Sequence, residues 1–280
     1  MKQLLIAGFG DIARRAAPRL ARRFEIARLS RACGCDLDRP ETLSIAGGHM
    51  LLHCAPPPDD GETDTRTANL LAALEKASIL PARVVYVSTS GVYGDCRGER
   101  VDESRPLSPQ TPRARRRVDA ERRIAEWCAS HNAALTILRV PGIYAAERLP
   151  LERLRAGTPV LLAEDDVYTN HIHADDLAMI VARALEDDAP AGIFNSNDDS
   201  ELKMGEWFDL VADAHGLPRP PRIPRSEAEG RIPPGLLSFM SESRRLDNGR
   251  LKRVLGVRLR YPTVHEGLRH ERTLGADQPA

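Results

Sequence analysis

This sequence has no net charge: 40 Lys plus Arg offset 40 Asp plus Glu. No overall field therefore draws it to nucleic acid or to an anionic membrane surface, and any anion binding has to be local. It has no apolar run approaching membrane-spanning length, and its start, MKQLLIAGFG, lacks the apolar core and small-residue cleavage site of a secretory leader. A cytoplasmic protein is the expectation. Cysteine is scarce and odd in number, and the five (Cys33, Cys35, Cys54, Cys96, Cys128) include no Cys-x-x-Cys. That argues against a disulfide framework and against a zinc knuckle, and predicts reduced thiols, with Cys54 and Cys128 packed in the core. There is no internal repeat, and 280 residues suffice for one large domain or a domain plus a smaller lobe.

What is present is alternation of strand and helix patterns. Gln3–Ala7 is a short apolar run, and Asp11–Arg23 follows with Ile12, Ala16, Ala17 and Leu20 on one helical face. Strand patterns recur at Phe24–Leu29, His49–Cys54, Arg83–Ser88 and Ala134–Val140, with helices over Thr65–Ala77 and Pro112–Ser130. Such alternation predicts an α/β fold, a doubly wound parallel (Rossmann) sheet with right-handed crossovers, over residues 1–160. Beyond Tyr144 the pattern loosens into a small C-terminal substrate lobe, 161–280, within which 168–195 return to the sheet through a helix at Asp175–Glu186 and a strand at Ile193–Asn195. The proline-rich stretch from Gly216 to Gly235 reads as a surface loop, and the segment 243–256 as a surface helix starting near Asp247.

The turn GFGDIA places Gly8, Gly10 and Ala13 at Gly-x-Gly-x-x-Ala spacing, directly after a strand and at the opening of a helix. Gly8 permits the tight turn, Gly10 lets backbone approach a pyrophosphate, and Ala13 allows close helix–strand packing. With Asp11 and Ile12 they form the helix N-terminus expected to face a dinucleotide's phosphates. An NAD-preferring site offers an acid at the end of the second strand; here stand Ser30 and Arg31. A hydroxyl and a guanidinium suit a 2′-phosphate, so NADP is the preferred cofactor, with NAD the alternative. Asp36 and Leu37 then lie beside the adenine.

Several segments in order along the chain (GFGDIA; HCAPPP at 53–58; VSTSGVYGD at 87–95; VDESRPLSP at 101–109; LRVPGIY at 138–144; NHIHADDLA at 170–178; GIFNSNDD at 192–199) together resemble the extended or atypical short-chain dehydrogenase/reductases, the superfamily of NAD-dependent sugar epimerases and dehydratases. The resemblance implies NAD(P)-linked oxidoreduction or epimerisation of a small hydroxylated substrate, such as a nucleotide sugar. It implies a hydroxyl at Thr89 orienting the reacting oxygen, cofactor contacts at Ala55, Pro56, Ser88, Pro141, Gly142 and Ile143, and substrate contacts at Ser90, Tyr93, Tyr144, Asn170 and His171. It also implies a homodimer built on the helix of Arg113 and Arg117, where six arginines would repel across a two-fold axis unless acids or anions lie between them.

The family's Tyr-x-x-x-Lys pair fails at this helix. Counting back from Glu121 puts Arg117 at the Lys position and Arg113 at the Tyr position. Arg117 can supply positive charge to a ribose, although its fork differs from an ammonium. Arg113 cannot replace a phenol, because a guanidinium has no accessible neutral form at neutral pH. Three readings follow: proton transfer comes from Tyr93, Tyr144, His171, His173 or water; or Arg113 and Arg117 bind an anionic substrate; or the protein binds NADP without turnover, as a sensor or scaffold. For Arg115, Arg116, Arg122 and Arg123 a solvated helix face is expected, with Arg117 paired to Glu121. His171 and His173 precede Asp175 and Asp176, which are expected to cap a helix and not to hold metal.

Overall fold

The structure, a computed structural model, describes residues 1–276, with side chains through Glu271. Residues 277–280, which the sequence reading assigns to the lobe, lie outside the described residues. Six strands form one parallel sheet: β1 (Lys2–Ala7), β2 (Phe24–Leu29), β3 (Met50–His53), β4 (Arg83–Thr89), β5 (Ala134–Val140) and β6 (Gly192–Asn195), in the order β6-β5-β4-β3-β1-β2. The chain winds one way from β1 to β2 and the other way from β3 outward. The point of reversal, where open α/β sheets bind ligands, therefore lies between β1 and β3.

Both faces of this sheet are covered, which explains the continuous apolar runs. Leu4 and Ile6 of β1 enter one core, Leu5 and Ala7 the other. On the first face α1 (Asp11–Leu20) packs against α4 (Ala174–Ala184); on the second, α2 (Thr65–Lys76) packs against α3 (Pro112–Ser130). Helix α3 starts where its sequence dictates. Thr111 accepts the Ala114 N–H at 3.2 Å and Pro112 takes the first turn, where its missing N–H costs nothing.

A third core lies beyond the sheet, among Tyr144, Leu154, Val160, Trp207, Phe208, Met240 and Leu268. Helices α5 (Met204–Ala214) and α6 (Val264–Ala276) enclose it, with two-residue strand pairs such as Val160–Leu161 beside Arg222–Ile223. The proline-rich stretch is more than a surface loop, because Ile223, Ala228 and Ile232 from it are buried in this core. The segment after Ser243 is likewise no plain surface helix. Arg245–Leu246 pairs with Arg100–Val101, and only Gly249–Arg253 is helical, with Leu251 and Leu255 fully buried. Among the described residues no helix is long and apolar enough to cross a membrane.

Candidate active site

The glycine turn sits at the sheet's point of reversal. Gly8 has φ +85°, donates its N–H to Leu29 O at 2.9 Å, and a Cβ there would overlap Ala55, 2.6 Å from its Cα. Only glycine fits. Gly10 differs: a Cβ there meets nothing within 4 Å, so the space in front of α1 is open. An open cradle before a helix N-terminus fits a pyrophosphate. The acid in that first turn, Asp11, is held by Arg15 (3.0 Å) and by Arg148 (2.9 Å), and Arg15 also pairs with Glu147 and Asp175.

From Gly10 one chamber of about 290 Å³ runs outward between Leu29, Ser30, Arg31, Asp36, Leu37, Ala55 and Pro56. The Arg31 side chain makes no ion pair or hydrogen bond among the described residues, so a cation stands available at this end. The nearby Asp38 is engaged by Arg66 at 2.7 Å. A second chamber of about 320 Å³ runs inward from Gly10, past Asp11, Ile12 and Ala13, to Cys54, Ser88, Thr89, Arg117, Pro141 and Ile143. Cys54 thus walls a groove and is not simply core packing; burial pushes its thiol up to about 12, so it stays protonated and inert. Together the chambers can hold an extended dinucleotide, with its adenosine end toward Arg31.

Arg117 uses one nitrogen, Nη1, on the Tyr86 hydroxyl and the Val87 carbonyl, both at 3.0 Å, at the rim of the inner chamber. Glu121 is not its partner. That carboxylate is buried and bound by Arg139 (Nη2–Oε2 2.8 Å) and by the Ser88 hydroxyl (2.5 Å). Arg139 goes on to the Tyr93 hydroxyl at 3.0 Å, which donates to Asn195 Oδ1 at 2.8 Å. Tyr93 is thereby removed from the substrate list: its ring is buried, its hydroxyl is enclosed by this network, and burial pushes it up to about 12. The family-like Glu therefore ties α3 to β4 and β5 from below. Sequence spacing placed Glu121 four residues after Arg117, on the same helix face, but could not reveal that Arg139, brought in by β5, competes for it.

The inner chamber adjoins a cleft of about 670 Å³ between sheet and lobe, sharing Thr89, Pro141, Ile143 and Arg148 with it. Thr89 accepts the Gly91 N–H at 3.3 Å while capping the turn Ser90–Tyr93. Its own proton has no acceptor among the described residues and can go to a ligand oxygen. Ser90, Arg113, Gly142, Tyr144, Asn170 and His171 also line the cleft. Gly142 lies on this side and not in the cofactor groove as expected. Asn170 supports more than it reaches, because its amide bridges Arg244 O (3.0 Å) and Leu246 N (2.8 Å).

The proton-transfer candidates separate by environment. His173, not Asp175 or Asp176, caps α4: its Nδ1 accepts the Asp175 N–H at 3.1 Å, which leaves Nε2 to donate to Glu271 at 2.6 Å. Asp176 instead accepts the Arg260 and Tyr261 N–H groups. Tyr144 directs its hydroxyl to Thr263 O at 3.4 Å, and burial raises it far above the phenol range. His171 faces the cleft, its ring tilted against Trp207 with the centres 4.4 Å apart, and its Nδ1 is buried and unpartnered among the described residues. Burial draws it down to about 3, so at neutral pH it is an uncharged hydrogen-bonding ring and a weak base.

Residues that sequence reasoning missed are Arg148, Arg153, Trp207, Phe239, Glu242 and Arg244, all lining the cleft. None belongs to a motif; they come from four separate segments, and only the fold brings them together.

Comparison with known proteins agrees with this geometry. A family model described as "NAD dependent epimerase/dehydratase family" matches residues 57–195, downstream of the glycine turn. A functionally unknown conserved protein from Silicibacter pomeroyi has a solved structure with TM-score 0.79 and 30% identity, covering 98% of this chain and 99% of that one. The UDP-glucose 4-epimerase of Thermus thermophilus, solved with NAD, gives TM-score 0.75 at 22% identity over 98% and 99%. Methionine adenosyltransferase 2 subunit beta of Danio rerio is 25% identical over 75% of this chain and 67% of its own length. The chain spans little more than half, 57% and 56%, of the curated dTDP-D-glucose 4,6-dehydratases it also matches. With the sheet order, the glycine turn at its switch point and the hydroxyl at Thr89, these likenesses lead to one conclusion: the chain belongs to the NAD dependent epimerase/dehydratase family.

Proposed function

We propose that this cytoplasmic protein binds NADP along the groove from Arg31 to Thr89 and uses it in oxidoreduction or epimerisation of a small hydroxylated substrate, such as a nucleotide sugar, seated in the cleft. The observation that carries this reading is adjacency: the two chambers share Gly10, and the inner chamber and the cleft share Thr89, Pro141, Ile143 and Arg148 as common wall. A nicotinamide nucleotide, when bound, would supply the hydride acceptor. The chain's own residues do the rest. Thr89 donates a hydrogen bond to the substrate oxygen, Arg117 places positive charge beside the ribose in the absence of a Lys, and Arg31 meets the 2′-phosphate. His171 orients the substrate by a hydrogen bond.

The test is calorimetric titration with NADP⁺ and NAD⁺, followed by a screen of hydroxylated and keto substrates for change in cofactor absorbance. Tight NADP⁺ binding, weak NAD⁺ binding and turnover support the reading. No binding of either nucleotide overturns it.

A second reading, NADP binding without turnover, draws on a specific observation: none of Arg113, Tyr144 and His171, which line the cleft, fits the task of the family's phenol. Arg113 is permanently charged, Tyr144 is held protonated by burial, and His171 is a weak base. One relative's name is that of a subunit. The double variant R113Y/R117K separates the readings, because turnover gained only in that variant marks a site that has lost its chemistry.

A further inference from the structure

The arginines of α3 are not equivalent. Arg115 pairs with Glu62, Arg116 donates to the Gly61 carbonyl, Arg117 to Tyr86 and Val87, and Arg122 and Arg123 share Asp119. Arg113 has no such partner. Its guanidinium lies 4.2 Å from the centre of the Phe239 ring and, among the described residues, makes no ion pair and no hydrogen bond. It is also the one arginine of the run that lines the cleft.

Its surroundings do not neutralise it. Arg148, Arg153 and Arg244 line the same cleft against a single acid, Glu242. Of that carboxylate, Oε2 is already paired with Arg244 at 2.9 Å, and Oε1 is buried without a partner among the described residues. Arg148 is fixed by Asp11, and Arg244 by Glu242 and the Gly94 carbonyl. Four guanidinium groups facing one carboxylate leave the cleft with an excess of positive charge that a protein of zero net charge has gathered in one place. A guanidinium held over an aromatic ring, with no hydrogen-bond partner among the described residues, has N–H groups to offer, and a guanidinium takes a carboxylate or phosphate in a two-pronged grip.

Position narrows the ligand further. Helix α3 packs against the turn Ser90–Tyr93, which Thr89 caps, and Arg113 and Thr89 line the same cleft. We infer that the substrate carries an anionic group, a carboxylate or a phosphate, close to its reacting hydroxyl, and that Arg113 binds that group. Arg113 is then a specificity-determining residue, in the place where the family resemblance puts a proton-transfer phenol. This rests on the reading of the cleft as the substrate site.

The test is calorimetry on the full chain saturated with NADP⁺, using pairs of probes that differ in one charged group: glucuronate against glucose, glucose 6-phosphate against glucose, and UDP-glucuronate against UDP-glucose. At least one charged member is expected to bind about 10- to 100-fold more tightly than its neutral partner, the span of a charge-assisted hydrogen-bonded pair. Glucuronate and glucose 6-phosphate distinguish the two sources of the charge. In R113Q the preference disappears, and in R113K it returns in part. R122Q, which changes a cation on the outer face paired with Asp119 and Glu126, keeps the full preference. Equal binding within every pair, a preference that survives R113Q, or no charged probe bound while NADP⁺ binds normally would each overturn the inference and leave the cofactor reading standing. Failure of NADP⁺ to bind counts against the cofactor reading, and the probe pairs run on the unloaded chain then decide the role of Arg113.

Discussion

The cofactor groove and the substrate cleft meet at Thr89, Pro141, Ile143 and Arg148, yet they are made differently. The groove is walled largely by backbone and small residues: the glycine turn, the ends of β1 and β4, Ala55 and Pro56. The cleft is walled by long side chains from the sheet edge, α3, α5 and the loops of the lobe. A backbone-made wall depends on a few φ angles and permits few substitutions. A wall of arginines and aromatics can exchange residues while the fold stays put.

That contrast is open to attack at four points. The largest effect is expected beneath both chambers, at the buried pair. Glu121→Ala leaves Arg139 buried without its counter-charge, and denaturant unfolding should register a loss of about 3–5 kcal/mol. Next come the two glycines of one motif, which should behave oppositely. Gly8→Ala forces a side chain into positive φ and against Ala55, at a cost of about 3 kcal/mol in stability. Gly10→Ala meets open space, so it should leave the melting temperature nearly unchanged while weakening nucleotide affinity about 10-fold or more. If Gly10→Ala destabilised the fold as Gly8→Ala does, the idea of a cradle left open for phosphate would fail.

A smaller effect is expected at the outer end of the groove. Arg31→Gln should weaken NADP⁺ about 10-fold, roughly 1.4 kcal/mol, and leave NAD⁺ binding alone. Equal loss for both nucleotides would show that Arg31 does not read the 2′-phosphate. The last effect is set by pH and lies at Asp198, whose backbone N–H binds His171 O at 2.8 Å. Burial pushes its carboxyl up to about 8, above the ordinary 3.8. The native state therefore holds a proton that the unfolded chain has released. The stability due to that proton is complete below pH 4 and is lost as pH rises through 8. Asp198→Asn should accordingly stabilise more at pH 8 than at pH 4, a difference that melting curves at the two pH values would resolve.

The sequence revealed the two halves of the site unequally, for the same physical reason. Gly8, Gly10 and Ala13 perform backbone tasks within six consecutive residues, so their spacing speaks for itself. The sheet strands were legible because burial on both faces makes each a continuous apolar run, as in Val84 to Val87. Helix α3 was legible to the residue, thanks to Thr111 and Pro112 at its start. Partners across the sheet were not. Nothing in the spacing tells that Glu121 prefers Arg139 to Arg117, because that preference depends on β5 lying beside β4. Arg153, Trp207 and Glu242 gave no signal because each acts only in company assembled by the tertiary fold. The proline-rich stretch misled for a related reason: its prolines mark irregular backbone, which says nothing about whether Ile223 and Ile232 between them are buried.

Arg148 ties the two regions together. Its guanidinium is anchored on Asp11, in the first turn of α1, while it walls both the inner chamber and the cleft. Two ligands that touch one shared side chain do not bind independently. Whatever factor the nucleotide imposes on affinity in the cleft, the occupant of the cleft imposes in return on the nucleotide, and the order in which the two arrive alters the route but not the total.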